Sequence, residues 1–87
     1  MIVYVLHKYW NTPDNEGDEI VGVYRSFERA QVDMHADVRP IHECYPEDFW
    51  SPDMTWAENN EIHLGFDPMN GKPATIYCWE IVETEVQ

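Results

Sequence analysis

Residues 2–25, IVYVLHKYWNTPDNEGDEIVGVYR, hold two β-type runs around a polar turn, and their reading decides the fold. In residues 2–10, Val3, Val5, His7 and Tyr9 fall on one face and Ile2, Tyr4, Leu6 and Trp10 on the other. β-Branched and aromatic residues dominate this run, as they do in strands. Residues 11–18, NTPDNEGD, combine Pro, Asn, Asp and Gly and predict a hairpin loop. A second strand at about 19–25 then pairs antiparallel with the first. Gly22 inside it marks a bulge or a close backbone approach.

Ser26 has the chemistry of a helix N-cap, and Glu28 sits where the helix dipole favours an acid. Phe27, Ala30, Met34 and Val38 recur at helical spacing, with Gln31 beside them. The helix is expected to end near Asp37 to Arg39, because Pro40 disfavours helical geometry in the residue before it. Residues 40–60, with Pro40, Pro46 and Pro52 among Tyr45, Phe49, Trp50 and Trp56, predict irregular structure with a turn or two of helix. A short strand at about 61–66, the turn pair Asn70-Gly71 and a strand at 74–86 complete the chain. The reading is one α+β domain spanning 1–87, in chain order β-β-α-β-β. Its antiparallel sheet carries one helix on one face.

The charge is the extreme value. Five Lys and Arg stand against 17 Asp and Glu, for a net −12, where a magnitude of about 2–8 serves solubility in a small domain. From Pro40 onward one base, Lys72, faces ten acids. Direct nucleic-acid binding needs the opposite sign, and so does an anionic membrane surface. A basic partner surface fits. The aromatic fraction of 14% argues for a folded chain, since disordered acidic segments are poor in aromatics. The N-terminus, MIVYVLHKYWN, is too short and too polar for a membrane span and has no cleavage site of a signal peptide. The expected location is therefore the bacterial cytoplasm.

Cys44 and Cys78 are then expected as reduced, buried core thiols. The only close metal-type grouping is His42-x-Cys44. Further ligands would have to come from Cys78, His63 or His7 on separate elements, so no metal or other cofactor is expected. No phosphate-cradling glycine loop, G-x-S-x-G elbow, H-E-x-x-H or dinucleotide fingerprint occurs. A sheet with one helix also leaves little volume for a large pocket. The chain reads as a binding protein and not as an enzyme.

The candidate partner-binding residues are the acids Glu43, Glu47, Asp48, Asp53, Glu58 and Glu61, with Trp50 and Trp56 as aromatic anchors. Glu80, Glu83 and Glu85 join them where they face outward. Carboxylates of this kind pair with arginines that otherwise hold phosphate. The first-loop acids Asp14, Glu16 and Asp18 are expected to stand apart from this surface.

Tyr4, Val5, Leu6 and His7, followed by Gly22, Tyr24, Ser26, Glu28 and Ala30, form a pattern of a YVLH-type strand and then GVYRSFERA. It resembles a group of short uncharacterised bacterial and phage proteins, and the closing YCWEIVETEV is similar to their last strand. The resemblance implies the fold sketch above and a phage or prophage setting. In general type the chain is similar to small acidic anti-CRISPR and other anti-defence proteins, many of which mimic nucleic acid. That similarity implies an inhibitor of a host nucleic-acid-binding protein. A general interaction or regulatory module, without competition from nucleic acid, is the alternative.

Overall fold

A computed structural model of the chain describes residues 1–67 and 74–87. The expected Asn70-Gly71 turn lies outside the described residues. The elements are β1 (Ile2–Asn11), β2 (Glu16–Tyr24), α1 (Phe27–His42), a 3-10 turn (Glu47–Phe49), β3 (Trp56–Ala57), β4 (Glu61–Phe66) and β5 (Thr75–Glu85). All five strands form one antiparallel sheet in the order β2-β1-β5-β4-β3. The last strand lies in the centre, and the chain ends meet: the Val86 N–H donates to the Met1 carbonyl at 2.7 Å.

The expected α+β architecture is present, with four differences in detail. First, β2 starts at Glu16 and not near residue 19, so the loop is a tight turn. Thr12 and Asn15 exchange backbone hydrogen bonds of 2.7 and 3.3 Å around Pro13 and Asp14. Turn-type residues Glu16, Gly17 and Asp18 are recruited into the sheet because β1 offers them a ladder. Second, α1 runs through Pro40 to His42. Pro40 stands in the last turn, where tertiary contacts offset its missing N–H: Ile41 packs on the core and the His42 carbonyl accepts the Trp50 indole N–H at 3.2 Å. Third, the two-residue β3 escapes the alternation rule by its brevity. Fourth, Cys44 is exposed and Cys78 is half-buried, both as free thiols, so neither is the buried core residue expected.

Of the two readings of Gly22, the bulge is present, and the close approach comes from a side chain, not from another backbone. The β1–β2 register slips by one residue at Leu6/His7, leaving Val21 as the extra residue, and Val21 packs against the core. A Cβ on Gly22 would fall 2.3 Å from the Tyr24 hydroxyl. Burial first, then a hydrogen bond to Asp33, pushes that phenol up to about 12, so it stays neutral.

Among the described residues, one side of the sheet carries the helix and the other has no covering layer. Ser26 caps α1 by accepting from the Arg29 N–H at 3.1 Å, and Ala30 and Met34 are fully buried against Leu6, Trp79 and Ile81. Asp37 ties the two layers: its carboxylate accepts the Trp79 indole N–H at 2.7 Å and meets Lys8 Nζ at 3.4 Å. Trp79 is wholly buried, so its N–H has no water to replace that partner. The substitution Asp37→Ala should therefore cost about 1–3 kcal/mol in denaturant unfolding, the usual toll of an orphaned buried donor. Asp37→Asn, which keeps an oxygen acceptor, should cost clearly less. Equal losses in the two variants would show that the Trp79 contact is unimportant.

Candidate functional site

Strand alternation assigns each side chain to a face. Tyr77, Trp79 and Ile81 of β5 share the helix side with Leu6, Leu64 and Phe66. The helix does not reach the Phe66 end of that side. The chain after α1 closes this end with aromatics: Tyr45 lies 5.0 Å from Phe66 and 5.4 Å from Phe49, and Phe49 lies 5.0 Å from Phe66 (ring centroids). Phe66 is buried, whereas Tyr45 and Phe49 keep 37% and 51% of their surface exposed. These are apolar faces left in water beside a packed core.

Next to them is an open depression of about 780 Å³. Its aromatic walls are Tyr45, Phe49, Phe66 and Tyr77, and Asp14, Asp48 and Asp67 are its carboxylates. No Lys or Arg lines it among the described residues. Burial, with Tyr45 and Cys44 nearby, raises the Tyr77 phenol above its ordinary value, so Tyr77 stays neutral and, among the described residues, the aspartates are the lining's charged groups. The volume contradicts the expectation that one helix on a sheet leaves little concave space. The helix stops short of the sheet's end, and the 45–49 segment builds a wall there. Aromatic faces with carboxylates around them suit a cation: the ring quadrupole attracts it and the carboxylates pair with it.

The other side of the sheet has no covering layer among the described residues. Cross-strand neighbours there form two rows: His7–Glu80–Glu61, and Tyr9–Cys78–His63–Trp56. His63 Nε2 is 3.0 Å from Glu61 Oε1 and 3.2 Å from Cys78 Sγ, and the Trp56 ring stacks on the imidazole at 4.0 Å and 15°. Burial, followed by the charges of Glu61 and Glu80, pushes the Cys78 thiol up to about 11. It is a protonated thiol at neutral pH, not a resting nucleophile. His42 and Cys44, close in sequence, are not among the residues that gather as a metal-type cluster: Cys44 donates to the Pro40 carbonyl at 3.0 Å.

The candidate partner residues therefore divide. Glu43, Glu47, Asp48 and Asp53 are exposed along the segment after α1, and of these Asp48 lines the depression. Glu58, Glu61 and Glu80 gather on the uncovered face, where the Glu58 N–H donates to the Glu61 carbonyl at 2.7 Å across the β3–β4 turn. Glu83 and Glu85 fall on the helix-side parity of β5, at the end paired with Tyr4 and Ile2, away from both groups. Trp50 must be removed as an anchor: it is 5% exposed and belongs to the core, because its indole is fixed on His42 and its ring packs on Phe66. Trp56 remains available at 40% exposure. Asp14, placed apart by the sequence reading, joins Asp48, because the tight first hairpin delivers its tip to the same depression. Asp67 and Phe66, at the end of β4, were missed; an acid after an aromatic strand end is too common a signal to single out.

The contrast between the thiols is testable. Under native conditions at neutral pH, iodoacetamide should modify exposed Cys44 first and Cys78 much more slowly, as peptide mass mapping over time would record. Equal rates would contradict the burial of Cys78.

No protein family, no curated protein and no solved structure matches this chain.

Proposed function

We propose that this chain is a phage- or prophage-encoded inhibitor of the bacterial cytoplasm that occupies the nucleic-acid-binding groove of a basic host protein. The observation that carries the reading is the depression in which Asp14, Asp48 and Asp67 surround Tyr45, Phe49, Phe66 and Tyr77. An arginine of the partner, otherwise used to hold phosphate, enters it. Its guanidinium pairs with carboxylates as it would with phosphate, and its planar face lies on an aromatic ring. A contact of that kind contributes about 0.5–2 kcal/mol, depending on desolvation. The net −12 supplies long-range attraction and speeds encounter. Glu43, Glu47 and Asp53, exposed on the same segment as Asp48, add negative charge to that segment.

A general interaction module without nucleic-acid competition is the second reading, and one observation favours it. The uncovered face exposes Ile20 at 59%, Val23 at 58% and Val82 at 36%, apolar groups that a phosphate mimic does not need. Among the described residues no helix is long and apolar enough to cross a membrane.

An arginine-rich peptide serves as the first probe, titrated against the protein by intrinsic fluorescence. Affinity should fall steeply as salt rises, since exposed attraction is screened within about 8–10 Å at physiological ionic strength. The triple substitution Asp14→Asn, Asp48→Asn, Asp67→Asn should weaken binding about tenfold, from roughly 0.5 kcal/mol per exposed pair. The triple Glu28→Gln, Glu83→Gln, Glu85→Gln removes equal charge elsewhere and should change it much less. Proteins captured from a bacterial lysate should then release a labelled oligonucleotide as this chain is added. If both triples act alike, the depression is not the site. If the oligonucleotide and this chain bind a captured protein together, the second reading replaces the first.

A further inference from the structure

We infer that Glu61, His63 and Cys78 form a binding site for a transition-metal dication of the Zn²⁺ type on the uncovered face of the sheet. The donor atoms of these three side chains all lie within 4.8 Å of one another. Glu61 and His63 are alternate residues of β4 and so share a face, and Cys78 stands directly across from His63 on β5. The site thus sits on paired strands, not on loops, and its spacing is set by the ladder.

Two bonding patterns could explain a Cys, a His and a Glu in contact. In a nucleophilic triad the thiol meets one ring nitrogen and the carboxylate orients the other. Here both partners meet the same nitrogen: His63 Nε2 is 3.0 Å from the Glu61 oxygen and 3.2 Å from the Cys78 sulfur. A single proton on Nε2 cannot serve both. A metal ion in place of that proton bonds all three donors at once. Tetrahedral zinc, with bonds of about 2.0–2.3 Å, places its ligand atoms roughly 3.3–3.7 Å apart, so the two His63 contacts open slightly, while the Glu61–Cys78 pair, which lies within 4.8 Å, has to meet the same spacing. The Trp56 ring, stacked on the imidazole at 4.0 Å, holds His63 in this orientation.

The donor set selects the ion. Thiolate and imidazole favour borderline-to-soft transition metals, whereas Ca²⁺ and Mg²⁺ take oxygen donors. Glu80, directly across from Glu61, adds charge that favours a cation. The fourth position faces solvent and takes water. Binding breaks the Cys78 S–H bond and releases that proton to the buffer as the metal–sulfur bond forms. No electron changes hands.

The site lies on the opposite side of the sheet from the aspartate depression, so the two stand or fall separately. The test uses the full chain, freed of metal by a chelator and kept in a non-thiol reductant, and titrated with Co²⁺. One equivalent should produce a thiolate-to-cobalt charge-transfer band in the near ultraviolet, and Zn²⁺ should abolish it by displacement. Cys78→Ser should lose the band and Cys44→Ser should keep it. His63→Asn and Glu61→Gln should weaken binding by more than the about 10–100-fold that outer-sphere changes cost. Far-UV circular dichroism would confirm that each variant is folded, and the Glu61 and His63 variants keep the test decisive if Cys78→Ser does not fold. The triple aspartate variant should bind Co²⁺ normally. A folded wild-type chain that gives no charge-transfer band, or a band that depends on Cys44, overturns the assignment.

Discussion

The pairing of β1 with β5 is the constraint from which the remaining architecture follows. It matches Ile2–Asn11 against Ile76–Glu85 in unbroken antiparallel register, joining the two ends of the chain. Every other element is placed relative to that pair: β2 is added to one side of it and β4 with β3 to the other. The register sets Lys8 beside Trp79, which lets Asp37 of the helix meet both. It also sets Cys78 between Tyr9 and His63. A one-residue slip would turn Trp79 out of the core and Cys78 into it, because side chains alternate along a strand. Contacts of such high sequence separation also make folding slow for the chain's size.

One helix on a five-stranded sheet leaves the molecule with two different surfaces to manage. On the helix side α1 seals the centre, and Tyr45, Phe49, Trp50 and Phe66 seal the end that it does not reach. The seal is incomplete, and the remaining space has aspartates around it. On the far side, Ile20, Val23 and Val82 remain exposed, on the same face as the Glu61, His63 and Cys78 cluster. The surplus of acid therefore does not form one continuous patch. Two groups within it, on opposite sides of the sheet, have distinct neighbours: aromatic rings in one, imidazole and thiol in the other.

Much of the fold was legible because its signals are local. Alternation in residues 2–10 and 61–66, the Ser26 cap and the 27–38 stripe each depend on a few neighbouring residues. The boundaries that moved were decided by distant partners. Glu16 to Asp18 have turn chemistry but lie against Trp10, Tyr9 and Asn11, and the last turn of α1 persists past Pro40 because Trp50 and the core hold it. Trp50 itself shows the limit of composition. Among acids and prolines it resembles Trp56, yet one is buried and the other exposed. Nothing within a few residues of either distinguishes them.

Sequence by itself determined the order of the four longer strands and the helix, the antiparallel class and the sign and size of the charge, since these follow from residue type and short-range period. Only the tertiary structure decided which acids act together. Asp14, Asp48 and Asp67 come from a hairpin tip, a 3-10 turn and a strand end, and Glu61, His63 and Cys78 come from two strands joined by register. The physical reason is that electrostatic and coordination effects depend on separation in space. Strand pairing converts the 15-residue gap between His63 and Cys78 into a 3.2 Å contact, and no periodicity in the chain encodes that distance.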